Sequence, residues 1–238
     1  MIKSKAVTFG GWALIVGALS FTAVFTYLAI TFNYPDVLDG PANEVLPALR
    51  GGGDAMRAIW AVYAFLPLAF VPAGIGTYHA LKAADEGTMR LGMHMATISA
   101  LASMLGLMRW PSIHWALAAF YEQADAAQQA VVTAVFNGLN VYLGNYIGEF
   151  LGELTFGLWL LLTAVTMFKS RHFPRWMAYM GLLTSVLGLI QMFRNVTDIV
   201  LPVNEVFNYL LPLWLLVLGI GVLRFARNHE GFSLQNEN

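Results

Sequence analysis

The chain reads as an all-α, polytopic membrane helical bundle: six transmembrane helices with amphipathic helices on the outer face. Three observations predict this. Only 11% of the 238 residues are charged and 58% are hydrophobic, whereas a soluble domain carries about a quarter charged residues. Six stretches are apolar over the ~20 residues that a hydrocarbon core requires. Lys and Arg alternate between rich and poor connections, as the orientation rule for membrane helices requires. One integral membrane domain, residues 1–238, is expected.

The six spans fall at approximately 9–32, 57–81, 89–109, 145–168, 175–195 and 205–224. The first follows Lys3 and Lys5, as the core of a signal peptide would. Its apolar run is too long for a cleaved signal and no small-x-small site follows, so it is expected to be retained as a span. Residues 33–56 contain "NYPDVLDGP" and "RGGGDA", where Pro, Gly and Asp break helices. In the second span, "FLPLAFVPAGIG" carries Pro67 and Pro72, which kink a helix, and Gly74 and Gly76, which loosen it.

The connections "KAADEGT" and "KSRHFPR" are tight. Residues 110–144 are long, opening at Pro111, with Asp125 as a helix N-cap. Polar residues interrupt this segment too often for a span, which predicts one or two helices lying on or dipping into the outer interface. The tail "NHEGFSLQNEN" is polar and expected to be loose.

With the N-terminus inside, the inner segments hold nine of the 13 Lys and Arg residues. The outer side holds only Arg50, Arg57, Arg109 and Arg194. The acidic residues divide the other way, four inside and ten outside. The expected location is the plasma (inner) membrane, with both termini cytoplasmic.

Composition also excludes functions. There are no cysteines, so disulfides, thiol nucleophiles, iron–sulfur ligation and Cys-type zinc sites are absent. A net charge of −1 gives no electrostatic basis for binding nucleic acid. The phosphate-loop, nucleophile-elbow and zinc-protease motifs do not occur. In "GMHM" at 92–95, successive side chains point about 100° apart and cannot converge on one metal ion. A haem between His79 and His94 is less economical than two histidines satisfied by neighbouring carbonyls. Neither cofactor nor metal is expected.

The segment "GEFLGELTFGLWLLLTAVTMFKSRHFPRWMAYMGLLTSVLGLI" joins an acidic helix head and a Gly-Leu-Trp to a Phe-Pro-Arg-Trp and a Gly-Leu-rich span. It resembles the bacterial membrane proteins grouped as domain of unknown function 4386. "NYPDVL" after the first span and "AIWAVYAFLPLAFVPAGIGTYHAL" in the second fit the same layout. The resemblance runs from about residue 10 to 224 and implies a six-helix architecture. It implies no established activity.

The chemistry concentrates in "GNYIGEFLGELTFG" at 144–157. On an α-helix Asn145, Glu149, Glu153 and Gly157 share one face. Gly144, Gly148 and Gly152 form the adjacent face and allow a neighbouring backbone to approach. A charge at mid-membrane costs roughly 2.5–3.5 kcal/mol on insertion scales, so both glutamates should turn toward the bundle. Arg109, Arg194 and His114 are at the same level and complete the candidate set.

One reading is an intramembrane salt-bridge network in which Arg109 or Arg194 satisfies the glutamates and fixes helix register. The leading functional reading is an outward-facing polar pocket, Glu149, Glu153, Arg109, His114 and Arg194, binding a lipid-like or small amphiphilic ligand or a partner membrane protein. The alternatives are a membrane-embedded enzyme using the paired glutamates for acid–base chemistry, with His114 carrying protons, and a proton- or cation-coupled transporter.

Overall fold

The computed structural model describes residues Ile2–Gln235. About 90% of the chain is helical, with no strand among the described residues. Among the described residues, six helices are long and apolar enough to cross a membrane: Lys5–Phe32, Gly53–Leu81, Glu86–Tyr121, Ala126–Lys169, Arg175–Asn195 and Asp198–Asn228. Each of the six expected spans falls within one of them.

The elements that build these spans are α1 (Ile2–Phe32), α2 (Ala42–Gly51), α3 (Gly53–Phe65), α4 (Phe70–Leu81), α5 (Glu86–Met108), α6 (Trp115–Tyr121), α7 (Ala126–Leu139), α8 (Gly152–Lys169), α9 (Arg175–Gln191) and α10 (Leu201–Gln235). α1 packs on α4, α4 on α5, α5 on α8, α8 on α9, α9 on α10, and α10 returns to α1. The helices therefore close a ring in chain order. Gly11 meets Leu223 while Gly219 meets Ile15, which makes α1 and α10 antiparallel and brings the start of α1 and the end of α10 to one end of the bundle.

Small residues set the closest contacts. A Cβ on Gly10 would stand 2.6 Å from Gly76 Cα, so α1 and α4 touch backbone to backbone. The core has two parts. The half nearer the termini is filled by Leu14, Trp159, Leu160, Trp214, Leu218 and their neighbours. The opposite end is capped by α2, α6 and α7, which bury Leu46, Leu49, Trp60, Trp110, Trp115 and Phe136.

The proline-rich part of the second span becomes a 3₁₀ stretch, Leu66–Ala69, between α3 and α4. Asp125 caps α7, accepting from the Gln128 N–H while the Gln128 side chain accepts from the Asp125 N–H. This is the reciprocal capping box.

Residues 110–144 form two helices, α6 and α7, as expected, but these continue the spans on either side rather than standing apart from them. α6 continues α5 through a π-helical turn at Trp110–His114, and α7 runs into α8 through a π-helical stretch at Asn140–Leu151. No proline interrupts residues 126–169, so the polar residues that argued against a span never break the backbone ladder. The tail is also not loose throughout, because α10 extends to Gln235; residues 236–238 lie outside the described residues.

Candidate functional site

The glutamates lie where two elements change geometry. Glu149 belongs to the π-helical stretch and Glu153 to the first turn of α8. Facing them, α9 ends at Gln191 and tightens into a 3₁₀ turn, Met192–Asn195, which projects Arg194 and Asn195 toward the carboxylates.

Arg194 binds both glutamates. Its Nη2 donates to Glu153 Oε1 at 2.8 Å and lies 2.9 Å from Glu149 Oε2. Its Nη1 donates to Glu153 Oε2 and, at 2.7 Å, to Gln191 Oε1. The Gln191 amide donates back to Glu153 Oε2 at 2.7 Å. Asn195 Nδ2 donates to Glu149 Oε2 at 2.8 Å and to the Asn145 carbonyl at 3.0 Å. The planar guanidinium thus serves both carboxylates from one fixed fork. The Arg194, Glu149 and Glu153 side chains are 18%, 20% and 26% exposed, so the cluster is shielded but not sealed.

The glycine stripe turns away from this cluster, toward α5. A Cβ on Gly148 would stand 2.8 Å from Gly106 Cα, and one on Gly152 would stand 2.7 Å from Ser103 Oγ. Ser99 Oγ donates to the Gly152 carbonyl at 2.8 Å, tying the same two helices.

Arg109 has other partners. Its Nε donates to Asn140 Oδ1 at 3.1 Å and its Nη1 to the Gly106 carbonyl at 2.6 Å. Asn140 Nδ2 passes the link on to the Leu38 carbonyl at 2.7 Å. The guanidinium packs on Gly144, where a Cβ would stand 2.5 Å from Arg109 Nη2. His114 is fully buried between Trp110 and Phe136, with ring centroids 4.9 and 4.6 Å away. Neither of its ring nitrogens has a hydrogen-bond partner among the described residues.

The five candidate residues therefore divide into three places. Glu149, Glu153 and Arg194 form one cluster, Arg109 braces the adjoining helix junction, and His114 belongs to the aromatic cap. Three residues not singled out from sequence complete the arrangement: Gln191, Asn195 and Asn140. The signal for the first two was the polar run Gln191, Arg194, Asn195 at i, i+3, i+4, closing an apolar helix in "QMFRN".

Tyr34 adds a phenol to this end. It shares a hydrogen bond with Tyr63, and burial pushes its ionisation above the ordinary range. The Glu149 carboxylate adds to that shift, while the Arg109 and Arg194 guanidiniums oppose it. The phenol thus senses both polar groupings and stays protonated. Among the described residues no group of three or more His, Asp or Glu side chains is arranged to hold a metal ion.

A ring of six apolar helices with ion-paired carboxylates facing a neighbouring helix defines an integral, multi-pass membrane protein. More particularly, the chain belongs to the family described as domain of unknown function DUF4386, whose model matches residues 9–224. No curated protein and no solved structure matches the chain.

Proposed function

We propose that this is a non-enzymatic membrane protein that binds a lipid-like or small amphiphilic ligand at the Glu149–Glu153–Arg194 cluster. The observation that carries the reading is an imbalance in hydrogen-bonding capacity. Each terminal nitrogen of Arg194 already faces two acceptors, which uses the four N–H groups it has there. Glu149 Oε1, by contrast, has no donor among the described residues. The unused capacity is that of an acceptor, which suits a head group bearing an amine or hydroxyl.

Aromatic surface beside the cluster suits the apolar part of such a ligand. Phe150 meets Phe193 edge to face at 5.5 Å, and Tyr146 and Phe193 are exposed beside them. The seat of His114 in the aromatic cap favours binding over proton transfer, because acid–base chemistry would need that imidazole beside the carboxylates. The buried threonine hydroxyls along the bundle donate within their own helices, Thr163 to the Trp159 carbonyl and Thr184 to the Met180 carbonyl; this favours binding over proton-coupled transport. On the Lys and Arg distribution, both termini are cytoplasmic and the cluster opens toward the outer leaflet.

The test is native mass spectrometry with lipid and metabolite extraction on gently solubilised protein, comparing wild type with Glu149→Gln. This variant leaves the Glu153–Arg194 fork in place. A defined small molecule lost from Glu149→Gln supports the reading. Identical bound species with a lower melting temperature would show the cluster to be a brace between helices and end it.

A further inference from the structure

We propose a second, independent site: a groove between α3 and the end of α5 that holds a phospholipid with a zwitterionic amine head, phosphate on Arg57 and ammonium on Asp54. The groove is about 440 Å³, within the range of small-molecule sites. Its polar end is formed by Asp54, Arg57 and Ser112, and its remainder by Ala58, Ala61 and Met108 with Pro111.

Arg57 differs from the other arginines at this end of the bundle. Arg194 is committed to two glutamates, Arg50 stands 3.7 Å from Glu122, and Arg109 is bonded to Asn140 and Gly106. Arg57 donates its Nε to the Pro111 carbonyl at 3.0 Å and stacks over Trp115, its guanidinium carbon 5.4 Å from the ring centroid. Those two contacts orient the fork without using its terminal nitrogens. No carboxylate among the described residues lies in ion-pair range of it. Its four terminal N–H groups are therefore left for the groove that Arg57 lines, and their fork is the arrangement that a phosphate accepts.

Asp54 stands one turn before Arg57 on α3, a helical neighbour (i, i+3), and it too has no ion-pair partner among the described residues. An exposed anion and an exposed cation side by side, unpaired with each other, complement a head group that carries both charges. A phosphate alone would meet repulsion from Asp54. An amine alone would meet repulsion from Arg57.

The apolar side of the groove argues for a lipid rather than a soluble phosphate ester. Below the head-group end, α3 exposes Val62 and Phe65 while α5 exposes Leu105 and Leu101. These continue from Ala58, Ala61 and Met108 at helical spacing. They form an apolar seam that an acyl chain can follow into the bilayer.

The test uses purified full-length protein in detergent, titrated with phosphatidylethanolamine, phosphatidylglycerol or phosphatidylcholine, with bound lipid read by native mass spectrometry. Wild type is expected to retain phosphatidylethanolamine at least about fivefold over the other two. Asp54→Asn should equalise phosphatidylethanolamine and phosphatidylglycerol, and Arg57→Gln should lose both. Ala61→Leu, which fills the apolar end, should lower occupancy with the melting temperature unchanged. Glycerophosphoethanolamine, the same head without chains, should not compete at equal concentration. Equal lipid retention by wild type and Arg57→Gln would overturn the proposal. So would wild-type preference for phosphatidylglycerol, or full competition by the chainless head group.

Discussion

Gly106 and Gly148 face one another so closely that a Cβ on Gly106 would stand 2.5 Å from Gly148 Cα. This contact locks α5 to the π-helical stretch and fixes the rotation of the helix that carries both glutamates. Alanine at either position must push two backbones apart, and overpacking of this kind costs about 1–3 kcal/mol. Gly106→Ala and Gly148→Ala should each lower the melting temperature in detergent, whereas Gly138→Ala, which has open space around it, should not.

The three charged members of the cluster should rank in a definite order. Arg194→Gln leaves two adjacent carboxylates without their cation; breaking a fully buried pair from one side costs about 3–5 kcal/mol, and this partly exposed cluster should lose less than that. Glu153→Gln removes the partner that Arg194 holds through both terminal nitrogens. Glu149→Gln removes one contact to Arg194 and one to Asn195. Thermal unfolding should therefore show Arg194→Gln as the least stable, Glu153→Gln next and Glu149→Gln mildest. A different order would mean that the guanidinium does not organise the cluster.

Asn140 is the relay between Arg109 and the turn at residues 36–39, accepting from one and donating to the Leu38 carbonyl. Asn140→Ala should cost about 1–3 kcal/mol, the usual penalty for leaving buried polar groups without partners. Hydrogen exchange should rise across residues 36–51, because that turn leads directly into α2. Exchange in α8 should stay unchanged.

His114 offers the opposite outcome. It is buried among aromatic rings with neither nitrogen hydrogen-bonded among the described residues, so His114→Phe replaces a polar ring by an apolar one in an apolar seat. Replacing an unsatisfied polar group in this way is nearly neutral or stabilising. The variant should melt within about 1 kcal/mol of wild type, or above it. A loss of ligand binding in that stable variant would return His114 to the candidate site.

At the end of the bundle that carries the termini, Asp85 caps α5 through the Thr88 N–H and pairs with Lys169 at 2.6 Å. The Lys169 hydrogen bond leads in holding its carboxyl down at about 2, against an ordinary 3.8. A depressed carboxyl stabilises the fold at pH above 3.8 and loses that contribution as pH falls through about 2. Asp85→Asn keeps an oxygen to cap the helix but loses the charge. Melting curves of the two proteins should converge between pH 4 and pH 2 and remain parallel above.

The sequence by itself determined the six spans, the cap at Asp125 and the placement of Glu149 and Glu153 on one helix face. These depend on local composition and on the 3.6-residue period, which any single chain displays. It also narrowed the partner of the glutamates to Arg109 or Arg194. Only tertiary structure chose between them. Arg109 caps the end of α5, the side that the glycine stripe faces, and Arg194 lies on the turn after α9, the side that the carboxylates face. The π-helical stretch likewise escaped the periodicity, because a 3.6-residue pattern carries no signal for a local change to i→i+5 bonding. Which helix neighbours which is settled by long-range contacts between small residues such as Gly10 and Gly76, and no local pattern encodes their partners.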